Sequence, residues 1–263
     1  MSPIKKITIL LARTLIKIIA NLSKLFCYGF HFIFPKARFT LPAQSNALFR
    51  TKRTHAIPHV IWQTNFTNRV TLPVYLNYLF NRLMAPSFEY RFMITQARAE
   101  FIQQNYPQHI SEAYGRLQIG ASQADFWRLL VLNKLGGVYM DIDAHLVWPL
   151  GWTLKKHEAL YLRIKSGEIS NYFIASAAGN TQIEKMIGLI ECNIEEAKIE
   201  NVYDLTGPGI FNQILKNERF PETYYKETVN QGNFTNEYFQ YIDKPAGKWN
   251  KEQQKVALVK PKR

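Results

Sequence analysis

Gly136-Gly137-Val138-Tyr139-Met140-Asp141-Ile142-Asp143 decides how this 263-residue chain is read. A short run of strand-forming residues follows a double glycine and ends in two carboxylates one residue apart. Side chains alternate along an extended strand, so Asp141 and Asp143 point the same way. If the strand stops there, both stand at its tip and can share one hard divalent cation. Such cations take oxygen ligands and keep positions open for water or phosphate oxygens. An isolated Asp-x-Asp is most often a solvated turn, so its neighbours must carry the argument.

Upstream, Ala121 to Leu135 reads as a helix. Apolar residues recur at spacings of three and four, and Gly136 supplies a C-terminal stop. Asp125 and Arg128 lie three apart, on one face near its start. Two readings stay open for them. Ser122 with Asp125 has the pattern of a capping box, and Asp125 with Arg128 could be a plain ion pair.

Taken together, Ala124-Asp125-x-x-Arg128, Leu132, Gly136-Gly137-x-Tyr139 and Asp141-x-Asp143 resemble the Asp-x-Asp, sugar-binding region of family-32-type glycosyltransferases. That group is distantly similar to the Golgi α-1,4-galactosyltransferases and the glucosylating clostridial toxins. Ala124 stands where the family more often has serine. Other segments follow in the order the resemblance implies. Ile57-Pro58-His59-Val60-Ile61-Trp62-Gln63-Thr64 looks like the first strand, whose end meets the nucleotide base, with Trp62 offering a flat face for stacking. Helix-like residues from Tyr75 to Leu83, a strand over Phe88 to Ile94 and a helix over Ala97 to Gln104 come next. Asn171 to Ala177 resembles the family's Asn-x-Phe-Ile/Met-Ala-Ser strand. Thr181 to Lys198 carries Ile183, Met186, Ile187, Ile190 and Ile194 at core spacing. Thr206-Gly207-Pro208 matches a turn before the helix Ile210 to Leu215, whose start could offer N–H groups to a ligand oxygen. Without the resemblance, an ordinary helix-entry turn is the reading these residues favour. Gly247-Lys248-Trp249 is similar to a C-terminal Gly-Ser-Trp, with Lys248 in place of serine.

The alternation of strands and helices predicts an α/β sandwich with a mostly parallel central sheet flanked by helices. The resemblance narrows this to the GT-A-type nucleotide-diphospho-sugar transferase fold. It implies a donor site containing Trp62, Gln63, Asp125, Arg128, Asp141, Asp143 and Gly207. Asp141 and Asp143 would hold Mn²⁺ or Mg²⁺, with Asp143 the more direct ligand. No residue stands out as a nucleophile or general base.

Net charge is +13, and its placement matters more than its size. Residues 1–53 hold ten Lys/Arg and no Asp/Glu, whereas residues 54–243 carry sixteen basic and nineteen acidic side chains. A nucleic-acid binder is expected to carry its positive stripe on the fold itself, so no nucleic-acid partner is expected here. Basic ends on a near-neutral fold suit an anionic membrane surface. From Ile4 to Phe34 the chain is apolar, yet Lys6, Arg13, Lys17 and Lys24 interrupt it at steps of seven, four and seven. Those steps place four cations on one helical face, and no apolar run reaches the roughly 18–20 residues that span a bilayer. Residues 1–34 therefore read as an amphipathic helix lying on a membrane, or else as a helix packed against its own domain. Residues 35–53 read as a linker, 54–249 as the catalytic domain and 250–263 as a basic tail. Two distant cysteines make no disulfide framework.

The expected activity is transfer of a sugar from a nucleotide-diphosphate donor to a lipid-linked or oligosaccharide acceptor of a bacterial surface glycan. The expected location is the cytoplasmic face of the inner membrane. Other metal-dependent nucleotidyl or phosphotransfer chemistry, and a non-catalytic membrane-docked binding role, are the alternatives.

Overall fold

The computed structural model describes residues 3–49, 51, 55–244 and 247–262. One long helix, α1 (Pro3–Ile33), precedes two short strands, β1 (Phe39–Thr40) and β2 (Gln44–Ser45). Then come β3 (Val60–Thr64), β4 (Arg69–Val70), α2 (Leu72–Met84), β5 (Glu89–Met93), α3 (Thr95–Asn105), α4 (Gln108–Arg116) and α5 (Gly120–Leu135). β6 (Gly137–Met140) turns through Asp141–Asp143 into β7 (Ala144–Leu146), followed by α6 (Leu150–Thr153), β8 (Ala159–Arg163) and β9 (Ile169–Ser176). The remainder comprises α7 (Thr181–Glu196), α8 (Val202–Leu205), α9 (Pro208–Leu215), β10 (Glu222–Tyr224), α10 (Tyr225–Thr228), β11 (Val229–Gln231), α11 (Glu237–Tyr241) and α12 (Trp249–Glu252).

A seven-stranded sheet in the order β10-β8-β9-β6-β3-β5-β2 organises the molecule. Its centre is parallel: β3 lies between β5 and β6, all running the same way. The β8–β9 hairpin joins β6 antiparallel through β9. Alternation along the strands sorts side chains onto two layers. Trp62, Tyr139 and Ile174 pack towards α3, α4, α5, α7 and α9. Ile61, Val138, Met140 and Phe173 pack the other way, under α2 and α6. Every residue of β6 is buried, as expected for a strand covered on both faces.

The double glycine is explained at two positions. Gly136 ends α5 at φ +65° and Gly137 opens β6 at φ +111°, values that favour glycine. A Cβ on Gly137 would lie 2.8 Å from the Val60 carbonyl oxygen, so the side chain must be absent for β6 to seat against β3.

Three expectations are corrected by packing. The segment 35–53 is not a free linker: β1 pairs with β4, and β2 extends the main sheet beside β5, while Arg50 and 52–54 lie outside the described residues. The C-terminal tail is not free either. Leu258 is buried, Gln118 N donates to Leu258 O, and Lys260 N donates to Arg116 O.

Third, α1 is both packed and exposed. Ile9, Ile16, Ala20, Cys27 and His31 form a narrow buried stripe, with Ile16 and Ala20 against Phe234. The opposite face leaves Ile4, Leu11, Leu15, Leu22, Leu25 and Phe32 in the open, each more than half exposed. Lys6, Arg13, Lys17 and Lys24 each sit three residues before a buried position. They therefore flank the seam with the domain, Lys6 and Lys17 exposed and Arg13 and Lys24 half-buried. Lys24 Nζ is spent on the Gly232 carbonyl at 3.0 Å. No described helix is long and apolar enough to cross a membrane.

Candidate active site

β6 ends at Met140, so Asp141 and Asp143 belong to the turn that leaves the sheet. The next strand, β7, pairs only with β11 in a separate two-stranded sheet. That crossover carries Gln231, the last residue of β11, to the carboxylates. Its Nε2 donates to Asp141 Oδ2 at 3.2 Å and to Asp143 Oδ1 at 3.1 Å. Two carboxylate oxygens thus converge on one point, although the turn, not strand alternation, brings them together.

The turn is held from behind. Asn77 Nδ2 on α2 donates to the carbonyls of Ile142 and Ala144, both at 2.9 Å. One helical turn later, Asn81 donates to Ala144 O at 2.8 Å and accepts from Leu146 N at 2.9 Å. Gln63 completes the frame by donating to Asp141 O at 3.0 Å, while its own oxygen accepts from Tyr90.

Asp125 and Arg128 reach the same cavity from the first turns of α5. Arg128 Nη2 is 2.8 Å from Asp125 Oδ1, and Arg128 Nη1 lies 3.3 Å from Asp141 Oδ1 and donates to Asn171 O at 2.6 Å. The guanidinium sits 4.2 Å over the Tyr139 ring, whose hydroxyl donates to Asp141 Oδ1 at 2.7 Å. Asp125 also accepts from Asn171 Nδ2 at 3.0 Å and from Thr206 Oγ1 at 3.3 Å. Burial pushes the Asp125 carboxyl up to about 6, against the opposing pull of Arg128, Thr206 and Asn171. The ion pair is therefore buried and fully hydrogen-bonded, unlike a surface pair. A capping role is not seen: the cap residue of α5 is Ile119, with no side-chain bond.

These groups line a cavity of about 630 Å³ beyond the C-terminal ends of β3 and β6. That is where α/β sheets gather ligands. Thr64, Asn65 and Phe66 form one wall, Gly207 and Pro208 another, and Lys244, Lys248 and Trp249 close the rim. Arg98 also faces in. It is 2% exposed, donates to Thr95 Oγ1 at 3.0 Å, and has no carboxylate partner among the described residues.

Two expected donor contacts are corrected. Trp62 is only 4% exposed, and its Nε1 donates to Gly136 O at 2.9 Å, so its ring offers no face to a ligand. Gln63 is 2% exposed and acts on the Asp141 backbone. The cause is shared: β3 is interior to the sheet and covered on both faces, so the cavity begins two residues later, at Thr64. Gly207 does line the cavity, but its N–H is bound to Val202 O at 3.0 Å. A Cβ there would come within 3.0 Å of Tyr203 backbone. Gln231, Asn171, Thr206, Arg98, Asn77 and Asn81 were not among the expected site residues.

A divalent cation fits the donor set. Asp141 and Asp143 supply two hard oxygens aimed at one position now filled by an amide. Burial, with Asp141 beside it, pushes Asp143 up to about 6, and a positive ion between them relieves that crowding. No cluster of three or more acidic, His or Cys side chains accompanies them among the described residues. The remaining coordination would fall to a ligand and to water.

Residues 73–161 match the model of the glycosyltransferase sugar-binding region containing a DXD motif. That stretch runs from α2 into β8 and holds Asp125, Arg128, Asp141 and Asp143. About a third of the chain therefore reads as a DXD-containing glycosyltransferase sugar-binding region. This DXD chain is also 25% identical to the initiation-specific alpha-1,6-mannosyltransferase of Schizosaccharomyces pombe, over 60% of its own length. It spans about half (48%) of that curated relative. Among solved structures, the PaToxG glycosyltransferase superposes with a TM-score of 0.50 at 20% identity, covering 80% of this chain and 79% of that one. The likeness bears on the fold, and agrees with a GT-A-type arrangement around the DXD turn.

Proposed function

We propose that this protein transfers a sugar from a nucleotide-diphosphate donor to a membrane-associated acceptor, with a divalent cation and with retention of anomeric configuration. The observation that carries the reading is the convergence of Asp141 Oδ2 and Asp143 Oδ1 beside the buried Asp125–Arg128 pair, in one cavity. Asp141 and Asp143 would hold Mn²⁺ or Mg²⁺. When bound, such an ion neutralises the charge that develops on a departing diphosphate.

The chain's own groups supply the rest. Arg128 is fixed by Asp125, Asp141 and the Asn171 carbonyl, so its position costs no reorganisation when a donor arrives. Asp125 and Asn171, tied to each other, present acceptors and donors to sugar hydroxyls. Arg98, near Asp125 and Tyr139 and without a carboxylate ion pair among the described residues, gives a further cation for a phosphate oxygen. Of the cavity-lining carboxylates, Asp125, Asp141 and Asp143 are committed to these roles and Glu237 is paired with Lys248 at 3.1 Å, so none is offered as a nucleophile. This is in keeping with a retaining mechanism in which the leaving phosphate takes the acceptor proton.

The membrane part of the proposal rests on α1. Its outward apolar face is far larger than the scattered apolar residues of a soluble surface, and cations border it. We read it as lying on the cytoplasmic face of a bacterial inner membrane, where lipooligosaccharide, capsule or O-antigen is extended. Incubating the protein with Mn²⁺ and a panel of radiolabelled nucleotide-sugars tests the activity. Slow metal-dependent hydrolysis of one donor, stopped by EDTA, is expected. Hydrolysis of none, with no binding of any, would defeat the reading.

A further inference from the structure

A second cavity, of about 650 Å³, lies where α1 meets the domain. Arg13 and Lys17 line it from the helix, Lys165 from the β8–β9 turn, and Tyr225 from α10. Tyr172 and Gln231 also line it, and both line the first cavity too. The two spaces therefore share a wall made of the residue that bridges the paired carboxylates and the aromatic ring next to it.

The chemistry of this second space is one-sided. Three cations face it and no Asp or Glu lines it. None of the three cationic side chains has an ion-pair or hydrogen-bond partner among the described residues, whereas Lys24, on the same helical face, does. Unpaired cations gathered in a concavity with tyrosines and amides call for an anionic group attached to something with a polar, ring-shaped body. Beside Arg13 and Lys17, the same helix turns Leu10, Leu11 and Ile18 outwards, each more than half exposed. Any ligand held here has an apolar exit on one side and the Asp141–Asp143 turn on the other.

We infer that this cavity is the acceptor site, and that it takes the phosphate or diphosphate of a lipid-linked glycan. Arg13, Lys17 and Lys165 hold the phosphate through charge-assisted hydrogen bonds. The lipid leaves along the apolar face of α1, and the sugar passes Tyr172 and Gln231 towards the donor. The inference rests on the transfer reading above, and selects among its acceptors: a free oligosaccharide would leave the three cations without a counterpart.

The test uses the full chain in neutral phosphatidylcholine nanodiscs without divalent metal, so that Asp141 and Asp143 cannot capture a diphosphate through an ion. Farnesyl diphosphate is titrated by calorimetry against farnesol and inorganic pyrophosphate. The intact amphiphile should bind at least tenfold more tightly than either fragment. Lys17→Gln with Lys165→Gln, and separately Arg13→Gln, should each weaken it at least tenfold with the melting temperature held. Binding by the variants equal to the parent overturns the assignment. The same variants are also tested for binding to phosphatidylglycerol vesicles, and a loss confined to that arm overturns the assignment by giving the cations to the headgroups of the bilayer. Donor hydrolysis by the parent is scored separately. Its absence would sink the transferase reading, while the farnesyl titration would still decide whether this cavity binds lipid phosphate.

Discussion

Replacing Asn77 by alanine removes a clamp on the Asp141–Asp143 turn from a residue that never touches the ligand space. Asn77 is fully buried, and its amide donates to both the Ile142 and Ala144 carbonyls at 2.9 Å. In the variant Ala144 O keeps its bond from Asn81, but Ile142 O loses this amide donor. One half-buried acceptor left unsatisfied costs about 1–3 kcal/mol at most, and the second lost bond adds about 0.5–1.5, so the expected destabilisation is about 1.5–4.5 kcal/mol. At this chain length each kcal/mol moves the melting temperature by roughly 2–4 °C, which gives a fall of about 3–18 °C. Urea unfolding reads the stability, and donor hydrolysis titrated with Mn²⁺ reads the site. The Mn²⁺ requirement should rise at least tenfold, with much of the rate recovered at saturating metal, because the carboxylates are still present but less ordered. Asn81→Ala is the comparison. It should destabilise similarly through Leu146 N and Ala144 O while disturbing the metal requirement less. If Asn77→Ala unfolds like the parent and needs no more Mn²⁺, the turn is held by something else and the positioning argument fails.

Asp143→Ala should abolish metal-stimulated donor hydrolysis with little loss of stability, since its carboxylate accepts from an exposed glutamine; normal Mn²⁺ binding would exclude it as a ligand. Arg128→Lys should cut turnover at least a hundredfold, because an ammonium cannot span Asp125, Asp141 and the Asn171 carbonyl together; near-normal turnover would reduce Arg128 to a packing role. Gly137→Ala should fail to accumulate as folded protein, given the 2.8 Å approach to Val60 O, and a well-folded variant would show that β6 can shift. Burial holds His145 down to about 4. Its neutral form thus contributes stability that is full above about 6.5 and is lost as pH falls towards 4, up to about 3 kcal/mol. With EDTA present, urea midpoints at pH 7.5 and 5 should differ less for His145→Asn than for the parent; equal slopes would remove His145 as a source of acid sensitivity.

What was legible beforehand was what depends on local order. Val138, Tyr139 and Met140 alternate between two cores, and the residues after them had to emerge at a strand end. Asp125 and Arg128 share a face by helical geometry alone. Other features depended on partners far away in sequence. Gln231 arrives from a strand about ninety residues beyond Asp141, and nothing in Val229-Asn230-Gln231 signals a ligand. Asn77 and Asn81 look like ordinary polar residues of a surface helix until α2 is laid over the turn. Trp62 shows the opposite case: an aromatic ring at a predicted strand end reads as a platform, but β3 is interior and its tip lies further on. In α1, periodicity located the cationic face without saying which side the domain would cover. The buried stripe of Ile9, Ile16, Ala20 and Cys27 is narrower and less bulky than the face left outside.

The amide of Gln231 stands between Asp141 and Asp143, and the next residue, Gly232, receives Lys24 of α1. An ion held by Asp141 and Asp143 would compete with that amide, one peptide away from the contact of Gly232 with α1. Metal loading is therefore expected to bear on the seat of α1, through the Lys24–Gly232 contact. A spin label on the outer face of α1, at Leu22, should report Mn²⁺-free and Cd²⁺-loaded protein as two distinct depths in a bilayer. If the depth is the same, metal loading does not reach α1 through Gly232.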